Sequence, residues 1–215
     1  MSWADMAALD PEGDFVKQHL LNPHVLRLLG DVRGRRILDA GAGQGYFSRM
    51  LAARGARVVA LEPASRLRSY AEQREGESPQ GIEFMADDLT KVALGPTFDA
   101  VVANMVLLSI PDWEVALRSC VGALVPGGQL IFTIEHPCLD DGGSYFVERL
   151  QPRRWVPDYH RPLSAYVNAF IESGCVLDGL AEPALDAALI GTDPAATTEL
   201  ARRPHYLVVH GRRLA

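Results

Sequence analysis

Acidic and amide side chains end four successive apolar segments of this sequence, at Asp39, Glu62, Asp87 and Asn104. Carboxylates accept hydrogen bonds and amides both donate and accept them, so these residues can hold hydroxyl, amine and ring-nitrogen groups. The apolar segments are predicted to be strands of a mostly parallel sheet, and the carboxyl ends of such strands meet at one edge. The spacing therefore predicts a site for a polar ligand at that edge.

A glycine-rich turn separates the first strand, at about 35–40, from a helix at about 45–54. Its glycines at alternate positions, Gly41, Gly43 and Gly45, permit backbone angles that other residues avoid and let a ligand approach the main chain. The helix start offers free N–H groups and the positive end of the helix dipole. This pattern predicts a nucleotide-type binding turn.

The dinucleotide pattern Gly-x-Gly-x-x-Gly fits the turn poorly, because the third glycine comes one residue early. Tyr46 stands where that pattern has Gly or Ala. Asp39 is also foreign to a turn that binds pyrophosphate, and it suits a ligand that carries a cation. An NAD-dependent oxidoreductase is therefore the weaker alternative.

The segment 37–46 resembles motif I of the class I S-adenosylmethionine (SAM) dependent methyltransferases, of the small-molecule type. Segments 58–63, 82–89, 98–112 and 124–137 resemble further motifs of that family, in the family's order. The resemblance implies SAM as cofactor and S-adenosyl-L-homocysteine (SAH) as product. It also implies the activity: methyl transfer to an O, N or other nucleophile of a small molecule. A SAM-binding protein that transfers no methyl group is the alternative.

The resemblance covers roughly residues 35–215 and implies an α/β fold. The expected architecture is a doubly wound, seven-stranded, mostly parallel sheet whose last strand is antiparallel. Residues 1–34 are predicted to form a helical cap within the same domain, and an insertion at about 137–161 to line the substrate site.

The resemblance assigns the cofactor-binding residues by position. Asp39 would face the cationic amino-acid end of SAM and Glu62 the ribose hydroxyls, while Asp87, or its neighbour Asp88, would accept from the adenine amine. The two aspartates could instead cap the following helical turn. The whole predicted set is Asp39, Gly41, Ala42, Gly43, Gly45, Glu62, Pro63, Asp87, Asp88, Leu89 and Asn104.

Three residues on the acceptor side are catalytic candidates, His136, Tyr159 and His160. His136 follows the fifth strand, and a histidine with a pKa near its usual ~6.5 can remove a proton from a hydroxyl or amine. The alternative is a histidine that hydrogen-bonds its own loop. The predicted substrate-lining residues are Phe15, His19, Tyr145 and Trp155.

Composition bounds the partners. The formal charge of −6 argues against a nucleic-acid partner, and no apolar run approaches the ~18 residues of a membrane span. Three widely spaced cysteines without a C-x-x-C pair argue against zinc, and His136 with Asp140 and Asp141 matches no metal-ligand spacing. We expect a cytoplasmic protein that acts on a small molecule and holds no metal. The sequence leaves its oligomeric state open between monomer and homodimer.

Overall fold

The computed structural model describes residues 13–139, 144–151, 158–185 and 202–215. The strands are β1 (Arg36–Ala40), β2 (Arg57–Leu61), β3 (Glu83–Met85), β4 (Phe98–Asn104), β5 (Leu124–Glu135), β6 (Arg149–Gln151), β7 (Asp158–His160), β8 (Cys175–Ala181) and β9 (Tyr206–Arg213). The helices are α1 (Asn22–Leu29), α2 (Tyr46–Ala52), α3 (Ser65–Glu77), α4 (Trp113–Ala123) and α5 (Leu163–Glu172). A π-helix, Lys17–Leu21, leads into α1, and short 3-10 turns occupy Leu107–Ser109 and Pro137–Leu139.

Seven strands form one sheet in the order β3-β2-β1-β4-β5-β9-β8, while β6 and β7 form a separate antiparallel pair. The last strand, β9, runs antiparallel to both β5 and β8, and the other neighbouring pairs are parallel. The doubly wound, mostly parallel fold expected from the sequence is thereby confirmed. Strand order reverses between β1 and β4, and open α/β sheets bind ligands at the carboxyl ends beside such a reversal.

Both faces of the sheet are covered, which explains why its central strands are mostly apolar. Alternate residues of β1 enter different cores: Leu38 packs in the cluster that contains α4 and α5, and Ile37 in the cluster that contains α1 and α2. Side chains alternate between the two faces of a strand, so a doubly covered strand buries apolar residues on both sides.

α1 has Pro23 in its first turn, where proline is well tolerated, and it follows directly on the π-helical turn Lys17–Leu21. Helix α3 ends at Glu77. The Glu75 carboxylate accepts the N–H groups of Gln80, Gly81 and Ile82, and this stabilises the chain reversal after α3.

No helix within the described residues is both long enough and apolar enough to cross a membrane.

Candidate functional site

A cavity of about 1180 Å³ lies at the carboxyl ends of β1, β2 and β4. The glycine turn forms its floor, and the π-helical segment before α1 and the segment after β4 form two of its walls. Small-molecule sites commonly measure roughly 300–1,000 Å³, so this volume can hold a nucleoside-sized cofactor together with a second small molecule.

The three glycines of the turn differ in the space around their Cα atoms. Gly41 and Gly45 are required by packing, because an added Cβ would lie 2.5 Å from Val106 and 2.8 Å from Ala71, respectively. Gly43 has a positive φ of 57°, and a Cβ there would meet nothing within 4 Å. Gly41 and Gly43 line the cavity, whereas Gly45, which the sequence predicted to bind the cofactor, does not.

Glu62 joins the end of β2 to the glycine turn. Its Oε2 accepts the Gly43 N–H at 2.8 Å, and its Oε1 accepts the Ala64 N–H at 2.8 Å. Burial raises the pKa of Glu62, and the two backbone hydrogen bonds oppose that rise. Each carboxylate oxygen has a further lone pair, so the group can also accept hydroxyl hydrogens from a ligand in the cavity.

Asp39 is 2% exposed and lines the cavity beside the turn. Burial raises its pKa to about 6, the hydrogen bond donated by the Ser48 hydroxyl lowers it, and the charge of Glu62 raises it further. A buried carboxylate in this state gains most from a neighbouring cation. The site thus suits a ligand group that carries a positive charge.

The end of β4 is held in an unusual conformation. Among the described residues, Met105 is the one non-glycine with a positive φ, of 60°. Its N–H donates to the Thr133 hydroxyl oxygen at 2.9 Å, and that hydroxyl donates to Asn104 Oδ1 at 2.6 Å. Left-handed backbone at a non-glycine residue costs free energy and is typical of functional sites. Asn104 and Met105 both line the cavity.

The third acidic position contains two neighbouring aspartates, and they lie in different places. Asp88 lines the cavity, whereas Asp87 is exposed and does not. Asp88 Oδ1 accepts the Thr90 N–H and hydroxyl, both at 2.8 Å, and these bonds lower its pKa. Of the two aspartates, Asp88 is thus the one at the cavity, and its bonds to Thr90 are those expected if it caps the following turn. Leu89, Ala42 and Pro63 also line the cavity as expected.

His136 does not reach the cavity. Its Nδ1 accepts the Cys138 N–H at 3.2 Å, so Nε2 carries the hydrogen and donates to Glu182 at 2.9 Å. With both ring nitrogens engaged, the imidazole has no lone pair for a substrate proton. The structure supports the alternative interpretation, a histidine that hydrogen-bonds its own loop.

Tyr159 and His160 share a second, small cavity of about 30 Å³ with His136. His160 Nε2 lies 2.9 Å from the Tyr145 carbonyl, and the Tyr159 ring lies 4.8 Å from the Arg161 guanidinium. Neither side chain lines the large cavity, so neither is placed to act on an acceptor there.

Three of the predicted substrate-lining residues, Phe15, His19 and Tyr145, do not line the cavity. The Phe15 and His19 rings contact each other in a tilted arrangement with centroids 4.7 Å apart. The Tyr145 hydroxyl accepts the Leu163 N–H instead of facing the site. Trp155 lies outside the described residues. Helical spacing selected the wrong face of the segment before α1, whose lining residues are Gly13, Asp14, Val16, Lys17 and Leu21.

Four carboxylates outside the predicted set also line the cavity, Asp14, Asp112, Glu135 and Asp158. Asp158 accepts a hydrogen bond from the Ser109 hydroxyl at 2.6 Å. Glu135 is the last residue of β5, one position before the histidine that the sequence suggested. Its place at the carboxyl end of a central strand was the available signal.

Arg161 holds the wall after β4 in place. Its side chain is fully buried, and it donates to the carbonyls of Leu107, Ile110 and Pro111 at 3.2, 2.9 and 3.2 Å. Glu148 accepts from its Nε at 2.8 Å. The wall from Leu108 to Asp112 thus takes its shape from a residue outside the cavity.

Within the described residues, no three His, Cys, Asp or Glu side chains are grouped closely enough to hold a metal ion. Asp140 and Asp141, two of the three residues of the metal alternative considered above, lie outside those residues.

A family profile described as a methyltransferase domain matches residues 38–132. A ubiquinone biosynthesis O-methyltransferase of Xanthomonas oryzae pv. oryzae is 31% identical over 189 residues, or 81% of this chain and 79% of the relative. The enzyme of that name from Bordetella avium is 31% identical over 130 residues, and the matched part spans only 54% of its length.

Solved structures of similar fold are also described as methyltransferases. A SAM-dependent methyltransferase from Mesorhizobium loti has a TM-score of 0.78 and 29% identity, with 89% of this chain and 96% of that chain covered. A structure from Listeria monocytogenes described as a putative SAM-dependent methyltransferase has a TM-score of 0.75 at 22% identity, which shows the shared fold.

Proposed function

Since the chain belongs to the class I SAM-dependent methyltransferases, we propose that it transfers a methyl group from SAM to an oxygen, nitrogen or other nucleophile of a small molecule. The observation that carries this proposal is the hydrogen-bonded unit of Glu62 and Gly43 beside the buried carboxylate of Asp39, at the floor of the large cavity. A cytoplasmic location is part of the proposal.

The residues present fit this cofactor. Asp39 is a buried carboxylate whose raised pKa favours a cationic partner, and SAM carries both an ammonium and a sulfonium group. Glu62 has lone pairs for the ribose hydroxyls, and Asp88 supplies a carboxylate in the same cavity that can accept from an exocyclic amine. Gly43 leaves the backbone of the turn open to the ligand.

When bound, SAM supplies a methyl group on a positively charged sulfur. The protein's part is to hold the acceptor in line with that methyl group and to exclude water, because positioning supplies much of the rate in such reactions. The apolar side chains of Met105, Val106 and Leu108 line the cavity after β4 and can provide the dry wall.

An acceptor hydroxyl needs a base, and Glu135 and Asp158 are two of the carboxylates that line the cavity. The relatives named as O-methyltransferases support a hydroxyl acceptor, so we place hydroxyl compounds first and amines second. Amines and thiols can react with less proton chemistry.

Calorimetric titration with SAM and SAH tests the cofactor assignment. Wild-type protein is expected to bind both, and Glu62→Gln to bind them at least ten-fold more weakly, because an amide cannot accept both N–H groups and two ribose hydroxyls. Glu77→Gln, at the exposed end of α3 and outside the cavity lining, is the matched control. No binding by the wild type would overturn the assignment.

Mass spectrometry then tests the transfer. Enzyme and SAM are incubated with catechols, simple phenols, amines and thiols, and both SAH and methylated product are measured. Acceptor-dependent SAH formation supports the proposal. Tight SAM binding without any methylated product across the panel favours the alternative, a SAM-binding protein without transfer.

A further inference from the structure

Three residues from three parts of the fold meet at the Tyr46 hydroxyl. Tyr46 is 8% exposed and begins α2 directly after the glycine turn. Its hydroxyl donates to Asn22 Oδ1 at 3.3 Å and accepts from Asn104 Nδ2 at 3.2 Å. We call the set Asn22, Tyr46 and Asn104 the junction. It joins the start of α1, the start of α2 and the end of β4.

The segment 13–29, called the cap segment below, also rests on the Tyr46 ring. Lys17 Nζ lies 5.8 Å from the ring centroid. Gly13 approaches so closely that a Cβ there would lie 3.0 Å from the ring edge, and Gln18 ties the Gly13 carbonyl back to the helix at 2.6 Å. Tyr46 therefore contacts the cap segment through both its hydroxyl and its ring.

The same cap segment forms one wall of the cavity, through Gly13, Asp14, Val16, Lys17 and Leu21. The opposite contact of the junction, Asn104, lines the cavity at the end of β4. The distance between these two walls is thus set through the phenol of Tyr46. The π-helical turn in the cap segment is itself a geometry found mostly at functional sites.

The two amides of the junction differ in their hydrogen bonding: Asn104 is anchored to β5, and Asn22 has a donor that the described part of the chain leaves unsatisfied. Asn104 Oδ1 is anchored by the Thr133 hydroxyl, whereas the buried Nδ2 of Asn22 has no hydrogen-bond partner among the described residues. Without the phenol oxygen, only a 3.4 Å contact from Asn104 Nδ2 to Asn22 Oδ1 remains between the two amides. A buried amide that loses its partner costs free energy.

We propose that Tyr46 is a positioning residue for the cofactor: it holds the cap segment against the end of β4, so that a bound cofactor is retained between them. The proposal rests on the proposed function for the identity of that cofactor. Tyr46, which stands where the dinucleotide pattern has Gly or Ala, thereby has a role in holding the cap segment.

The test compares Tyr46→Phe with Tyr70→Phe, the same change at a half-buried tyrosine of α3 outside the junction. SAH is the probe, with affinity from calorimetry, dissociation rate from stopped flow, and hydrogen exchange of the cap-segment amides. Tyr46→Phe is expected to bind SAH about 3- to 10-fold more weakly, through faster dissociation, and to exchange faster over 17–29. Exchange over α4 and the behaviour of Tyr70→Phe stay as in the wild type.

A second variant shows whether the effect passes through the junction. Asn22→Ala should reproduce the faster dissociation, and the double variant should lose less than the sum of the two single losses. The proposal is overturned if Tyr46→Phe binds SAH as tightly as the wild type and its cap segment exchanges at the wild-type rate. It is also overturned if hydrogen exchange rises equally in the cap segment and in α4. If the wild type itself fails to bind SAH, the proposed function falls, while cap exchange in the free proteins still decides whether the junction holds the cap.

Discussion

The Glu62 carboxylate accepts the Gly43 N–H at 2.8 Å, so the acid after β2 and the glycine turn after β1 are one hydrogen-bonded unit. The register of the sheet makes this possible, because β1 and β2 pair in parallel from Arg36 to Ala40 and both end at the same edge. The Glu62 residue that we propose for the ribose thus also fixes the turn that approaches the cofactor.

Gly43→Ala tests this unit. Because Gly43 has a φ of 57° with open space around it, alanine adds left-handed backbone strain but no clash, and we expect about 1 kcal/mol of destabilisation. SAM affinity should fall with it, since relaxing the strain moves the N–H away from Glu62. Gly95→Ala, at a glycine with ordinary φ and open space, is the control. Urea unfolding and calorimetry measure the two effects, and unchanged values in Gly43→Ala contradict the interpretation.

Asp39 predicts a pH dependence of stability in the ligand-free protein. Its folded-state pKa of about 6 lies above the usual value of 3.8, so the folded protein holds a proton that the unfolded chain releases. The resulting stabilisation is full below about pH 4 and is lost as the pH rises through 6, which amounts to about 3 kcal/mol. Asp39→Asn should remove this component, so the difference in unfolding free energy between wild type and variant narrows at low pH. Parallel pH profiles for the two proteins would refute the assignment.

Arg161 predicts a local effect on the acceptor wall. Arg161→Met leaves the carbonyls of Leu107, Ile110 and Pro111 without their donor, and we expect about 3 kcal/mol of destabilisation. Arg161→Lys keeps the charge but loses the planar fork, so its loss should be smaller. Hydrogen exchange over 107–112 should rise in both variants. SAH affinity in Arg161→Lys should stay near that of the wild type, because the cofactor residues lie elsewhere, and a ten-fold loss of that affinity would contradict this division.

The sequence predicted the sheet well because its signals are local and repeated. Each strand is a short apolar run, and the order of the motifs determines the order of the strands. The polar residues Asp39, Glu62 and Asn104 were predicted to share one edge for the same reason: they stand at or next to strand ends, and all three line the cavity.

The acceptor side was predicted poorly because side-chain direction decides it. Glu135 and His136 are adjacent, and the turn after β5 sends the histidine to Glu182 and leaves the glutamate at the cavity. Phe15 and His19 have the helical spacing of a lining pair, but another face of the same segment meets the cavity, through Gly13, Asp14, Val16, Lys17 and Leu21. Arg161 gave no signal, because its partners are backbone carbonyls about fifty residues away.

The base for a hydroxyl acceptor is predicted to be a wall carboxylate and not His136. Glu135→Gln should lower kcat by about 10²–10⁴ with a phenolic acceptor, because the amide cannot take the proton, while SAM affinity stays near that of the wild type. His136→Asn keeps an acceptor for the Cys138 N–H and should leave kcat within a few-fold. Asp158→Asn tests whether the second carboxylate, which accepts a hydrogen bond from the Ser109 hydroxyl, contributes to kcat. The measurement is SAH release at saturating SAM across pH 6–9. If kcat falls ten-thousand-fold in His136→Asn while both carboxylate variants keep full activity, the base is the histidine.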